Sequence, residues 1–122
     1  MNEKDLFIDK MTERFPSIKD DVLDEDMSGL FYLQVGVLKH FIQEKIDEDD
    51  SSLFVQAVEF LESSLGAFGH EVDNAIYTSV LEHLNFKKSP KLAKMLSSKL
   101  RGAYGQLLKY NAKSRNPPTG FK

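Results

Sequence analysis

Leu30-Phe31-Tyr32-Leu33-Gln34-Val35-Gly36-Val37-Leu38-Lys39-His40-Phe41-Ile42-Gln43-Glu44-Lys45-Ile46 decides how this chain folds. Leu30, Phe31, Leu33, Val37, Leu38, Phe41, Ile42 and Ile46 recur at helical rather than alternating spacing. Together they cover so wide an arc that the helix they define, about Met27 to Ile46, is expected at the centre of the fold. The run is interrupted by Gln34, Lys39 and His40, well short of the roughly 18 uninterrupted apolar residues of a membrane span.

The same period continues on both sides. Upstream, Leu6, Phe7, Met11 and Phe15 predict a helix over about Asn2 to Arg14, stopped by Pro16 because a residue before proline avoids the α region. Ser17 is expected to cap a short acidic turn, Ser17 to Asp26, with Ile18, Val22 and Leu23 as its apolar positions. Downstream, Asp47-Glu48-Asp49-Asp50 reads as a solvated connection, with Ser51 or Ser52 capping a helix over about Ser52 to Leu65 that buries Phe54, Val58, Leu61 and Leu65. Gly66-Ala67-Phe68-Gly69 reads as a helix end and tight link. A further helix, about Glu71 to Leu84, carries Val72, Ile76, Val80 and Leu84 on one stripe, with Ala75 and Leu81 beside it. Ser89-Pro90 then signals a last helix running to about Asn111. No segment alternates long enough to make a strand. The expected fold is therefore all-α: an antiparallel bundle of about five helices in one domain over residues 1–111, with an irregular C-terminal tail over 112–122.

Composition agrees. The 122 residues are 41% hydrophobic and 29% charged, with nine Phe, four Tyr and no Cys, so a core can form without disulfides. Absent cysteine excludes thiolate metal sites and thiol nucleophiles and fits a reducing, cytoplasmic setting. The opening Met1-Asn2-Glu3-Lys4-Asp5 is mixed in charge and does not read as a signal peptide.

Charge is unevenly divided. Residues 1–62 hold 16 acids against 6 bases, residues 63–122 hold 3 acids against 10 bases, and no acid follows Phe86. Either the two halves neutralise each other within the monomer, which we expect to be the main cause, or they present two faces of opposite sign to a charged partner.

Catalytic patterns are missing. Neither a phosphate loop, a dinucleotide-binding glycine motif nor a nucleophile elbow occurs, and Gly66 and Gly69 punctuate helices. Asp24-Glu25-Asp26-Met27-Ser28-Gly29 opens like an EF-hand calcium loop, but the twelfth position, which should bring a bidentate Glu, is Val35. His40, His70 and His83 do not form a paired zinc motif and are expected on the surface. The sequence thus points to no enzyme, no metal and no cofactor.

Three blocks, Ala57-Val58-Glu59-Phe60-Leu61, Gly69-His70-Glu71-Val72-Asp73-Asn74-Ala75-Ile76 and Val80-Leu81-Glu82-His83-Leu84, occur with Leu30-Phe31-Tyr32-Leu33 and Lys99-Leu100-Arg101-Gly102-Ala103-Tyr104. Over about residues 28–111 this pattern resembles a family of small helical bacterial domains of unknown function. The resemblance implies immunity proteins, which neutralise toxins used between competing bacteria; it implies no catalytic residues.

Two surfaces are candidates for binding. The acids Asp20, Asp21, Asp24, Glu25, Asp26, Asp47, Glu48, Asp49 and Asp50 would meet a basic protein partner such as a toxin domain. The bases Lys91, Lys94, Lys99 and Arg101 would suit a nucleic-acid-binding regulator, against which a whole-chain pI near 5.6 argues. In a third reading the acidic and basic halves of two copies meet head to tail, making an oligomerising adaptor.

Overall fold

The computed structural model describes residues 2–96 and 100–102. Among these the fold is all-α, without a strand. Helix α1 spans Glu3–Arg14, and its first turn is closed by Asn2, whose Oδ1 accepts from the Asp5 amide at 2.9 Å. Pro16 ends it as expected, but the acidic segment that follows is more structured than a single turn. A 3-10 turn at Pro16–Ile18 leads into the four-residue helix α2, Lys19–Val22, and a second 3-10 turn follows at Glu25–Met27. Ser17 is not a cap: Phe15 precedes the first turn and makes no side-chain capping bond, while Pro16 supplies the fixed φ that starts it. The second turn is capped by Asp24, whose Oδ1 accepts from the Asp26 amide at 2.9 Å.

The central helix, α3, spans Phe31–Asp47 and so begins four residues later than expected. The Glu25–Met27 turn and the left-handed Gly29, at φ +77°, occupy the interval. Asp47 belongs to this helix rather than to the loop. Helix α4 spans Ser51–Ser64, and its cap is Asp50, whose Oδ1 accepts from the Leu53 amide at 3.1 Å, not Ser51 or Ser52. Helix α5 spans only His70–Ala75. The expected helix to Leu84 continues past it with altered winding, as a π-helical turn at Ile76–Val80 and a 3-10 turn at Leu81–His83. Thr78 Oγ1 donates to the Asn74 carbonyl at 2.9 Å, which competes with the regular ladder there. The extra residue in the wide turn lets Ile76, Val80 and Leu81 all be fully buried.

At Pro90–Met95 the chain forms a 3-10 helix that ends at Leu96 in an extended conformation, so a continuous helix from Pro90 is broken there. The remainder of that expected helix beyond Gly102, like the 112–122 tail, lies outside the described residues.

The core is built around α3, which touches α1, α2, α4 and the Ile76–Val80 turn. Phe31, Val35, Leu38, Ile42 and Ile46 form its buried face. Phe7 lies at the junction: its ring centroid is 6.2 Å from Phe31, 5.5 Å from Phe60 and 5.5 Å from Phe68. Phe15 extends the aromatic chain, 5.6 Å from Phe60 and 5.3 Å from Phe41. Such pairs contribute roughly 0.5–1.5 kcal/mol each beyond the area they bury, so they bind α1, α3 and α4 into one unit.

Candidate binding groove

The nine acids proposed from sequence separate into two groups with different work. Asp47 accepts from Gln43 Nε2 at 3.0 Å, Glu48 takes Lys45 Nζ at 3.2 Å, Asp49 pairs with Lys91 at 3.2 Å, and Asp50 caps α4. Asp47 and Glu48 are thus engaged at the end of α3, Asp50 starts α4, and Asp49 reaches the Pro90–Met95 turn. Asp49 also sits at φ +57°, a turn conformation that Asp tolerates better than most residues.

The other five, Asp20, Asp21, Asp24, Glu25 and Asp26, are all exposed, and among the described residues none of them forms an ion pair. They are held out from the core by a few anchors. Ile18 and Val22 are buried beneath them, and Gln34 Nε2 donates to the Val22 carbonyl at 3.0 Å, fixing the segment to the first turns of α3.

Between this segment and α3 runs a groove made of two adjoining hollows. One, of about 480 Å³, is lined by Asp21, Asp24, Asp26, Met27, Val37 and His40. The next, of about 320 Å³, shares Asp21, Val37 and His40 and adds Phe41 and Glu44. The mixture is carboxylate on one bank and partly exposed apolar surface on the floor. Glu44 is tempered by Lys45, whose Nζ lies 3.6 Å away, and Lys45 itself rests 5.2 Å over the Phe41 ring. Sequence reasoning identified the acids but did not join Met27, Val37 or His40 to them; Val37 was signalled by an apolar arc on α3 wider than one core can bury, whereas Met27, in the preceding turn, and the polar His40 carried no such signal.

The calcium reading has no support from the geometry, since Val35 is fully buried in the core and Asp24 serves as a turn cap. His40, His70 and His83 are exposed, as expected.

On the basic side, Lys91 is paired with Asp49, and Arg101 Nη2 reaches back to the carbonyls of Lys94 and Leu96, the latter at 3.1 Å, closing the break in that element. Lys94 is exposed, and Lys99 lies outside the described residues. A further hollow, of about 360 Å³, lies between α1 and α4 over Phe60 and Phe68. Its charges are mixed, Glu13 beside Lys10 and Arg14, and Arg14 is engaged with Gln56 Oε1 at 3.0 Å.

The class these features define is a small all-α domain with an acid-banked groove. The family model described as a domain of unknown function, DUF7674, matches residues 8–112, and the chain belongs to that family. No curated protein and no solved structure matches it. None of the described helices is long and apolar enough to cross a membrane.

Proposed function

We propose that this chain is a non-catalytic protein-binding domain of the immunity type, which occupies a basic surface of a cognate bacterial toxin. The observation that carries this reading is the contrast between the two acidic runs. Asp47–Asp50 is engaged within the molecule, whereas among the described residues the carboxylates of Asp20, Asp21, Asp24, Glu25 and Asp26 form no ion pair, Asp24 alone being bonded, to the Asp26 amide, and they lie beside partly exposed apolar surface. Unpaired acids cost solubility nothing and raise the association rate with a basic partner, while the apolar floor supplies the desolvated contact that slows release. The basic residues favour the nucleic-acid alternative less, because Lys91 and Arg101 have partners inside the chain.

The test is a pulldown from lysate of the native host, with partners identified by mass spectrometry. The wild-type chain is compared with a variant carrying Asp20, Asp21, Asp24 and Asp26 changed to Asn and Glu25 changed to Gln. Asparagine retains the Asp24 turn cap, so the fold survives. One stoichiometric toxin-domain partner, lost in the variant, supports the proposal. Recovery of nucleic acid, or a partner bound equally by both proteins, refutes it.

A further inference from the structure

Helix α3 has two opposite faces. Phe31, Val35, Leu38, Ile42 and Ile46 enter the core, while Leu33, Gly36, Val37, His40 and Glu44 form the stripe directly across the helix. Leu33 is 56% exposed, the most open of the large apolar side chains among the described residues, and Leu30 at the start of the helix is 47% exposed. A bulky residue pointing away from the core gives the fold nothing.

Gly36 occupies the middle of that outer stripe. Glycine within a helix costs about 1 kcal/mol relative to alanine. Here a Cβ would meet nothing within 4 Å, and the backbone is not left-handed. No packing within the described fold requires a glycine, yet its effect is to leave bare helix backbone beside the groove. Small residues at a contact let two helix axes approach toward the near end of the usual 8–10 Å range. An extended peptide has less to gain, because the described residues offer no sheet edge for it to pair with.

We infer that the groove receives an amphipathic, lysine- or arginine-bearing helix of the partner protein, laid along α3 with its backbone closest at Gly36. Its apolar face covers Leu33, Val37 and Met27, and its bases face Asp21, Asp24 and Asp26. This rests on the protein-binding reading and adds the form and chemistry of the partner segment.

The probe is a fluorescein-labelled, 18-residue leucine–lysine amphipathic helix, with a leucine–glutamate helix as control, titrated into the full chain. The lysine peptide should bind and the glutamate peptide should not. Amide shifts in a nitrogen-15 spectrum should centre on Leu33, Gly36, Val37 and His40. Gly36→Leu should weaken binding at least tenfold while leaving the melting temperature equal or higher, and Gly36→Gln should do the same without adding apolar surface. Asp21→Asn, Asp24→Asn and Asp26→Asn combined should also abolish binding. If the acid variant loses binding but both Gly36 variants bind normally, the helical mode is wrong and the protein-binding groove stands. If neither set matters, or the lysine peptide does not bind, the helical inference falls, and the protein-binding reading is decided separately by the host pulldown.

Discussion

The side-chain amide of Gln43 clasps the backbone of Asn85 with two hydrogen bonds. Gln43 Nε2 donates to the Asn85 carbonyl at 2.7 Å, and the Asn85 amide donates to Gln43 Oε1 at 2.9 Å. A residue 42 positions earlier thus holds the irregular stretch after the Leu81–His83 turn against α3, where no backbone ladder exists to do so. Each such bond contributes roughly 0.5–1.5 kcal/mol net. Gln43→Ala should lower unfolding stability by about 1–2 kcal/mol in urea titration. Gln43→Glu, which keeps the acceptor but sets a carboxylate oxygen against the Asn85 carbonyl and the Asp47 carboxylate, should lose at least as much.

Gly69 is a glycine whose conformation matters. It lies at φ +97° and ψ 175°, a region open essentially to glycine alone, and an added Cβ would come 2.5 Å from Glu3 Oε1. Gly69→Ala should cost about 1–3 kcal/mol. The Glu3 carboxylate is the mobile end of a side chain and can swing aside, so the backbone term dominates. Adding Glu3→Ala should therefore restore little of the loss, as thermal melts of the single and double variants would reveal.

Ser89 shows how a sequence signal can be right in place and wrong in chemistry. It does precede Pro90 at the start of a helical turn, but among the described residues its hydroxyl makes no capping bond and is buried without a partner. A hydroxyl buried in this way carries an uncompensated desolvation cost. Ser89→Ala should raise stability by about 1 kcal/mol, whereas a working cap would lose a similar amount on the same change. The sign of the shift in urea midpoint decides between them.

The Lys45 ammonium is held above its ordinary value of 10.5, first by its hydrogen bond to Glu48, with the charges of Glu48 and Glu44 adding and burial opposing. A lysine whose folded value lies above its unfolded one lends stability fully below the unfolded value and loses it as pH rises through the folded one. The urea midpoint should hold its Lys45 share to about pH 10 and decline above it. Lys45→Met should be less stable at neutral pH and show a shallower alkaline decline.

The sequence made the all-α fold and the central place of α3 legible, because eight apolar residues at helical spacing leave little else for that stretch to be. It could not say which part of the wide arc faces inward. Phe31, Leu38, Ile42 and Ile46 are buried, but Leu30 and Leu33 are exposed and Val35, passed over in the reading, is fully buried. Helix boundaries moved where local chemistry intervened: the Glu25–Met27 turn delays α3, and Thr78 disturbs the winding after α5. For the groove, composition located both acidic runs but could not separate them. Whether a carboxylate is engaged depends on distant partners such as Lys91, or on a cap geometry that exists only once the helix has formed.

The segment from Ser17 to Met27 divides its labour residue by residue. Ile18 and Val22 are committed to the interior and Gln34 holds the Val22 carbonyl, while Asp20, Asp21, Leu23, Asp24, Glu25 and Asp26 remain on the outside. Surface charge and interior packing are thereby written in largely separate letters of the same short stretch. A lineage could rewrite most of this outer bank while inheriting its interior unchanged, provided position 24 kept a residue able to cap the turn.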